Sequence, residues 1–311
     1  MPAEKVSLII PIRNESESIE KLIKSIEAQT LLPDEVIIVD GGSIDDTIKI
    51  FNTLVGGNER YRLIETENAT PGRGRNIGIE NARNEWIALT DAGIVLDKDW
   101  LKNLVAVVDA NPSLEMIYGN FEPLMNSSFE KCAVFTYVQS KKKNAIREKF
   151  IASSLLKKSV WERVGGFPDF RAAEDLIFME TVAENNIKTG TAPEALLYWQ
   201  VPPDLLSIFR KFALYSKHNV INSRLWDWHY GLLRQYLILL PVIILSIFHS
   251  CWWLIVILFW IIARVMKRVL ANYYQFGLSP IYNPIRFFTI VAIIITIDIA
   301  TLVGWIQAKA A

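Results

Sequence analysis

The chain has 311 residues with 33 basic and 33 acidic side chains, so it carries no net charge. That length allows one large or two smaller domains, and the charge balance removes the usual electrostatic argument for a nucleic-acid partner. Two cysteines, Cys132 and Cys251, and three scattered histidines, His218, His229 and His249, exclude a disulfide framework and a metal site built from Cys or His.

In chain order, the apolar run Val6–Ile10, ended by Pro11, reads as a buried strand. Its apolar core is too short for a signal peptide, so the globular part is expected in the cytosol. Ile19, Leu22, Ile23 and Ile26 recur at helical spacing within 16–29, with Ser16 as a cap. A second strand, Glu35–Asp40, runs into Gly41-Gly42-Ser43, and Asp45 and Asp46 read as caps opening a helix through Leu54. Arg62–Glu65 is a third strand. The glycine-rich turn Pro71–Gly74 then opens a helix near Arg75–Ala82, and Trp86–Thr90 is a fourth strand ended by Asp91-Ala92-Gly93. Four strand–helix alternations predict an α/β fold with a mostly parallel, Rossmann-like sheet covered on both faces. In such a sheet ligands bind beyond the carboxyl ends of the strands, which is where Glu15, Asp40 and Asp91 fall.

The end of the chain is different. Residues 231–311 hold only seven charged side chains: Arg234, Arg264, Lys267, Arg268, Arg286, Asp298 and Lys309. Apolar stretches at 236–248, 252–263 and 287–306 predict transmembrane helices, three in preference to two, since about 20 residues cross the hydrocarbon layer. Arg234, Arg264, Lys267 and Arg268 would share one side, made cytoplasmic by the positive-inside rule. Asp298, the one acid inside a span, is costly there. Ahead of the spans, 204–231 mixes Ile208, Phe209, Phe212 and Leu214 with Arg210, Lys211 and Lys217, then Trp226 and Trp228, as in an amphipathic helix at the interface. The expected organisation is therefore a globular domain over 1–203, an interfacial segment over 204–231 and a membrane domain over 232–311.

Several of these motifs occur together in order: Ser7-Leu-Ile-Ile-Pro-Ile-Arg-Asn-Glu15, Val39-Asp-Gly-Gly-Ser-Ile-Asp-Asp-Thr47, Gly74-Arg-Asn-Ile-Gly78, Asp91-Ala-Gly93, Gly165-Gly-Phe-Pro168 and Ala173-Glu-Asp-Leu176. Over about residues 5–200 this set resembles the family 2 glycosyltransferases with the GT-A fold. The resemblance implies inverting transfer of a sugar from a nucleoside diphosphate to an acceptor hydroxyl. It implies that Pro11, Arg13 and Glu15 line the nucleotide pocket. Asp40 would accept a hydrogen bond from the base, for which the N–H of uracil, and so a UDP-linked donor, is suited. Gly41 and Gly42 would let the backbone approach the ligand closely, Arg73 and Arg75 would meet the diphosphate at a helix N-terminus, and Asp91 would hold ribose or metal. Asp175 would be the general base, and Glu174 would orient it or bind the acceptor.

The sequence departs from the family at Gly93, where the second Asp of the usual Asp-x-Asp motif would help hold a divalent cation. Either Mg²⁺ or Mn²⁺ uses Asp91 with another carboxylate, or Arg73, Arg75 and Arg210 take over the diphosphate charge. The Gln-x-x-Arg-Trp motif of processive synthases is also missing, the nearest text being Trp199-Gln-Val-Pro-Pro203, so a single transfer is expected. The expected partners are a nucleoside-diphosphate sugar, a lipid-linked or membrane-proximal acceptor and the lipid bilayer, with no nucleic acid. Two other readings stay open: a polyprenyl-phosphate sugar synthase, and a non-catalytic nucleotide-binding or interaction membrane protein with a GT-A-like domain.

Overall fold

The computed structural model describes residues 4–138 and 150–310, without the side chains of 225–228, so the aromatic signal at Trp226 and Trp228 lies outside the described residues. Two compact units are present, one from residues 1–124 and 145–200, the other from 125–144 and 201–311.

The first unit is built on β1 (Val6–Ile12), α1 (Ile19–Glu27), β2 (Glu35–Asp40), α2 (Thr47–Val55), β3 (Tyr61–Glu65), α3 (Pro71–Glu80) and β4 (Trp86–Leu89). These strands are parallel neighbours in the order β3-β2-β1-β4. The sheet continues through β5 (Ile94–Leu96), reached before α4 (Trp100–Ala110), and β6 (Met116–Leu124), then, beyond the second unit's α5 (Ser128–Tyr137), through β7 (Ser154–Lys157), α6 (Lys158–Val164), α7 (Glu174–Glu184) and β8 (Thr189–Gln200). The full order is β3-β2-β1-β4-β7-β6-β8-β5, with β7 antiparallel to both neighbours, β5 antiparallel to β8 and β6 parallel to β8. It is the α/β, mostly parallel sheet that the alternating pattern predicts.

Strand β2 is buried throughout because it is covered on both faces, and its side chains alternate between two cores. Val36 and Ile38 join Leu8, Ile10 and Ile12 in the core that α1 and α4 cover. Ile37 and Val39 join Ile9 in the core under α3, α6 and α7. Pro11 sits within β1 opposite Val39 rather than ending the strand.

Helix α3 also starts earlier than the glycine-rich text suggests. Thr70 caps it by accepting from the Arg73 N–H at 3.2 Å, and Pro71 occupies the first turn, where its fixed φ and missing N–H cost nothing. The glycines are therefore close-approach positions inside a helix and not a turn. A Cβ on Gly78 would stand 2.2 Å from Ile9 Cγ2, and one on Gly72 2.3 Å from the Pro168 carbonyl oxygen.

The second unit contains α5 with α8 (Leu205–Ile221), α9 (Leu225–Phe248), α10 (Leu254–Phe276), the short α11 (Ser279–Tyr282) and α12 (Pro284–Lys309). Helix α5 carries a capping box of Ser127 and Glu130, and Phe135 meets Phe276 edge-on at 5.6 Å. Helix α8 lies close along α12: a Cβ on Gly304 would stand 2.2 Å from the Ala213 carbonyl oxygen, and Ser216 Oγ donates to the Thr301 carbonyl at 2.6 Å. Leu205, Leu206, Leu214 and Ile221 of α8 stay exposed. Among the described residues, two stretches, His229–Phe248 and Pro284–Lys309, are long and apolar enough to cross a membrane.

The Gly78 contact makes a direct prediction. Gly78→Val forces a branched side chain against Ile9 and Val39, and overpacking of this kind costs about 1–3 kcal/mol. The melting temperature of the purified protein should fall, whereas Gly231→Ala, with open space around its Cβ on the helical backbone of α9, should change it far less.

Candidate active site

The loops after β1, β2 and β4 meet at one edge of the sheet. Asn14, held at φ +56°, ties two of them together: its Oδ1 accepts from the Ile44 N–H at 2.9 Å and its own N–H donates to Ser43 Oγ at 2.8 Å. The Glu15 N–H donates to Thr47 Oγ1 at 2.7 Å. The Glu15 carboxyl is raised above the ordinary carboxylate range, chiefly by burial, with Asp45 and Asp91 adding repulsion and a bond from Ser18 opposing it. Arg13 reaches Asn68 Oδ1 at 3.3 Å, and Pro11 is half-buried in β1 against Gly74.

Asp40, at the last position of β2, is buried and organises its own loop. Its Oδ2 accepts from the Gly42 and Ser43 N–H groups at 3.0 and 2.9 Å, and its Oδ1 from Ser43 Oγ at 2.5 Å. Gly42 has φ +86°, which a side chain would strain. Asp45 accepts from the Thr47 hydroxyl and N–H, which brings its pKa down to about 2. That matches a helix-start acid.

The centre of the site is Arg75. It is 2% exposed, and its two terminal nitrogens are both committed, Nη2 to Asp91 Oδ1 at 2.6 Å and Nη1 to Glu174 Oε1 at 2.8 Å. Burial works against the guanidinium charge, and Asp91 and Glu174 outweigh it, so its pKa stands above the ordinary value. The guanidinium lies 5.4 Å from the centre of the Phe167 ring, which stacks on Phe178 at 3.9 Å. Phe167 is thus core. Arg73, two residues earlier, is exposed near the N-terminus of α3.

Asn76 carries a second, unforeseen connection. Its Oδ1 accepts from the Phe167 N–H and from Trp161 Nε1, each at 2.8 Å, and its Nδ2 donates to the Phe167 carbonyl at 2.7 Å. Thr70 Oγ1 donates to Asp169 Oδ1 at 2.6 Å. With the Gly72–Pro168 approach, these contacts clamp the start of α3 to the segment 166–174. Sequence reasoning missed Thr70, Gly72, Asn76 and Asp169 because their partners lie 85 to 99 residues away.

Helix α7 begins with Glu174 and Asp175 after Ala173, whose φ of +68° is strained for a residue with a Cβ. Glu174 is buried on Arg75, and its carboxyl is raised by burial, with Arg75 pulling it down and Asp175 pushing it up. Asp175 is half-buried and accepts from the Leu176 N–H at 2.9 Å. Asp91, Arg75, Glu174 and Asp175 therefore stand together, while Asp40, Glu15 and Arg13 line the neighbouring loops. Arg210 belongs to α8 of the other unit and is exposed.

A divalent cation needs about six oxygen ligands. Asp91 has one oxygen on Arg75, and Gly93 supplies no side chain. Among the described residues no group of three or more His, Cys, Asp or Glu is placed to hold a metal. These residues do not fit a metal held by the protein alone.

Comparison with solved structures gives the class. Over 96% of this chain and 90% of the other, the fold matches S. aureus TarS 1-349 in complex with UDP-GlcNAc, with a TM-score of 0.52 and 15% identity. It also matches the mannosyltransferase PcManGT from Pyrobaculum calidifontis, in complex with GDP-Man and Mn²⁺, over 97% and 88% of the two chains, with a TM-score of 0.55 and 19% identity. The sheet and its helices are therefore a GT-A-like fold. Residues 7–145 match the sequence model of glycosyl transferase family 2. Among curated relatives, glycosyltransferase AglE of Haloferax volcanii is 31% identical over 175 residues, 53% of this chain and 56% of that protein. The match thus spans little more than half of that relative's length.

The buried pairing of Arg75 can be tested by stability. Arg75→Met strands two acids and should cost about 3–5 kcal/mol. It also removes the group that holds the Glu174 carboxyl down. Above pH 4.5, the ordinary Glu value, the folded variant then binds more protons than the unfolded chain, so its stability falls as pH rises. Thermal unfolding should show a larger deficit against wild type near pH 8 than near pH 5.

Proposed function

We propose that this chain is an inverting, membrane-attached hexosyltransferase. It moves one sugar from a nucleoside-diphosphate sugar, UDP-linked by preference, to a lipid-linked or membrane-proximal acceptor on the cytosolic face. The observation that carries the reading is the cluster of Asp91, Arg75, Glu174 and Asp175 at the carboxyl edge of a GT-A-like sheet. Membrane attachment is supported by the two C-terminal stretches with the length and apolarity of spans. It is supported too by the exposure of Leu237, Ile238, Ile247 and Phe248 on α9, since such a surface suits lipid better than water.

In this mechanism the donor's nucleotide lies over the Asp40 loop, Arg13 and Glu15. Its diphosphate faces the start of α3, where exposed Arg73 favours an anion. Arg75 is spent on carboxylates, so its part is to fix Asp91 and Glu174. The half-buried Asp175 carboxylate accepts the acceptor's hydroxyl proton as that oxygen bonds to the anomeric carbon. The bond from that carbon to the diphosphate oxygen breaks on the opposite face, releasing nucleoside diphosphate and inverting the centre.

Calorimetry on the detergent-purified protein with UDP and GDP tests the donor site. One of the two should bind, and absence of both would remove the transferase reading and leave a non-catalytic membrane protein. For a hydroxyl acceptor, Asp175→Asn should lower turnover about a hundred- to ten-thousand-fold. A mild effect would instead indicate a polyprenyl phosphate, whose oxygen is already anionic.

The cation question has its own test. Gly93 has φ +76° and open space around its Cβ, so Gly93→Asp adds a carboxylate at about 1–3 kcal/mol of backbone strain. Mn²⁺ should tighten nucleotide binding in this variant more than in the wild type. Equal tightening in both would show that Asp91 already suffices to anchor the ion.

A further inference from the structure

We propose that the C-terminal helices hold one anionic, phosphate-headed membrane lipid, with the headgroup-proximal part of its chain in a cavity between α9, α10 and α12 and its phosphate on Lys267 and Arg268. This rests on the reading of these helices as membrane spans. The cavity measures about 180 Å³, and Tyr236, Ile261, Val265, Val291, Ile294 and Ile295 form most of its wall. Apolar cavities of roughly 150 Å³ stay dry and take up benzene. A void of this size and lining accordingly suits a short length of hydrocarbon rather than water.

At its polar wall Arg264 also faces the cavity, and it is neutralised within the bundle. Its Nη1 and Nη2 donate to the two oxygens of Asp298, and Tyr236 Oη donates to Asp298 at 2.8 Å. The guanidinium lies 4.8 Å from the centre of the Trp260 ring. Asp298, 4% exposed, thus presents no free negative charge to an approaching anion. One turn further along α10, positions 267 and 268 follow Arg264 at the i+3 and i+4 spacing that shares a helix face. Both Lys267 and Arg268 are exposed, at the end of the apolar stretch where headgroups lie. A lipid fits this order of features: hydrocarbon first, then a neutral polar wall, then two exposed cations about 6 Å along the helix axis.

The full chain should first be tested for resistance to alkaline carbonate in membranes. Extraction into the soluble fraction would remove the membrane reading, and this proposal with it. With the chain retained, native mass spectrometry in detergent compares phosphatidylglycerol, phosphatidylcholine and geranylgeranyl phosphate as probes. One phosphatidylglycerol adduct is expected, at least tenfold more abundant than the phosphatidylcholine adduct. Filling the cavity with Ile294→Trp should reduce it about tenfold, and so should the surface double variant Lys267→Gln/Arg268→Gln, which leaves the core untouched. Displacement by geranylgeranyl phosphate would assign the site to an isoprenoid lipid, and its failure to displace to a glycerophospholipid. Equal adducts with phosphatidylglycerol and phosphatidylcholine, or an adduct unchanged in the double variant, would overturn the proposal.

Discussion

The Arg75 guanidinium is the point on which the two sides of the site depend. It lies almost without solvent, where an unpaired charge would be prohibitively costly, and it is tolerable only because Asp91 and Glu174 both reach it. Asp91 comes from the loop after the fourth strand and Glu174 from the first turn of α7. One planar cation thus sets the separation of two carboxylates from opposite ends of the domain. Asp175 follows Glu174 directly, so its position is inherited from the same contact. The glycines of α3 serve this arrangement by letting the helix that carries Arg75 sit against β1 on one side and Pro168 on the other.

The C-terminal helices solve a similar problem with similar parts. Arg264, Asp298 and Tyr236 form a closed polar group among apolar helices, here with both oxygens of one carboxylate occupied by one guanidinium. In both units a charge has been placed where its isolation would be expensive, and each time the two terminal nitrogens of a guanidinium are committed to carboxylate oxygens, from two acids at Arg75 and from one at Arg264. The tight approach of α8 to α12 at Gly304 and Ala213 shows that small residues again allow backbone contact between helices.

Much of the first half of the fold was legible because its strands are short apolar runs between turn residues. Glu35–Asp40 is read to the residue. The start of α3 was not, because three glycines within ten residues look like a turn unless tertiary packing is known. Among the candidate residues, Asp91, Glu174 and Asp175 could be picked out by their place after strands or at a helix start. What those side chains touch could not. Arg75 looks like an anion-binding arginine in the sequence, and only its burial between two acids shows that its charge is already used. Asn76 gives no sequence signal of its own, since its hydrogen bonds depend on a backbone 91 residues away. Asp298 is visible as an anomaly in the sequence, but its partner Arg264 reads there as the mark of a helix end.

The clamp between α3 and the segment 166–174 also has a consequence for how the molecule is made. Arg75 and Glu174 are separated by 99 positions, so closing that loop carries a large entropic cost that is repaid only when the last part of the sheet has docked. Until then the arginine sits in an incomplete interior with one acid and must stay hydrated, which keeps α3 from packing fully on β1. During synthesis the early strands can therefore assemble long before any working site exists. The four-residue cluster forms late, so a half-built chain emerging from the ribosome has a sheet but not yet Asp91, Arg75, Glu174 and Asp175 in one place.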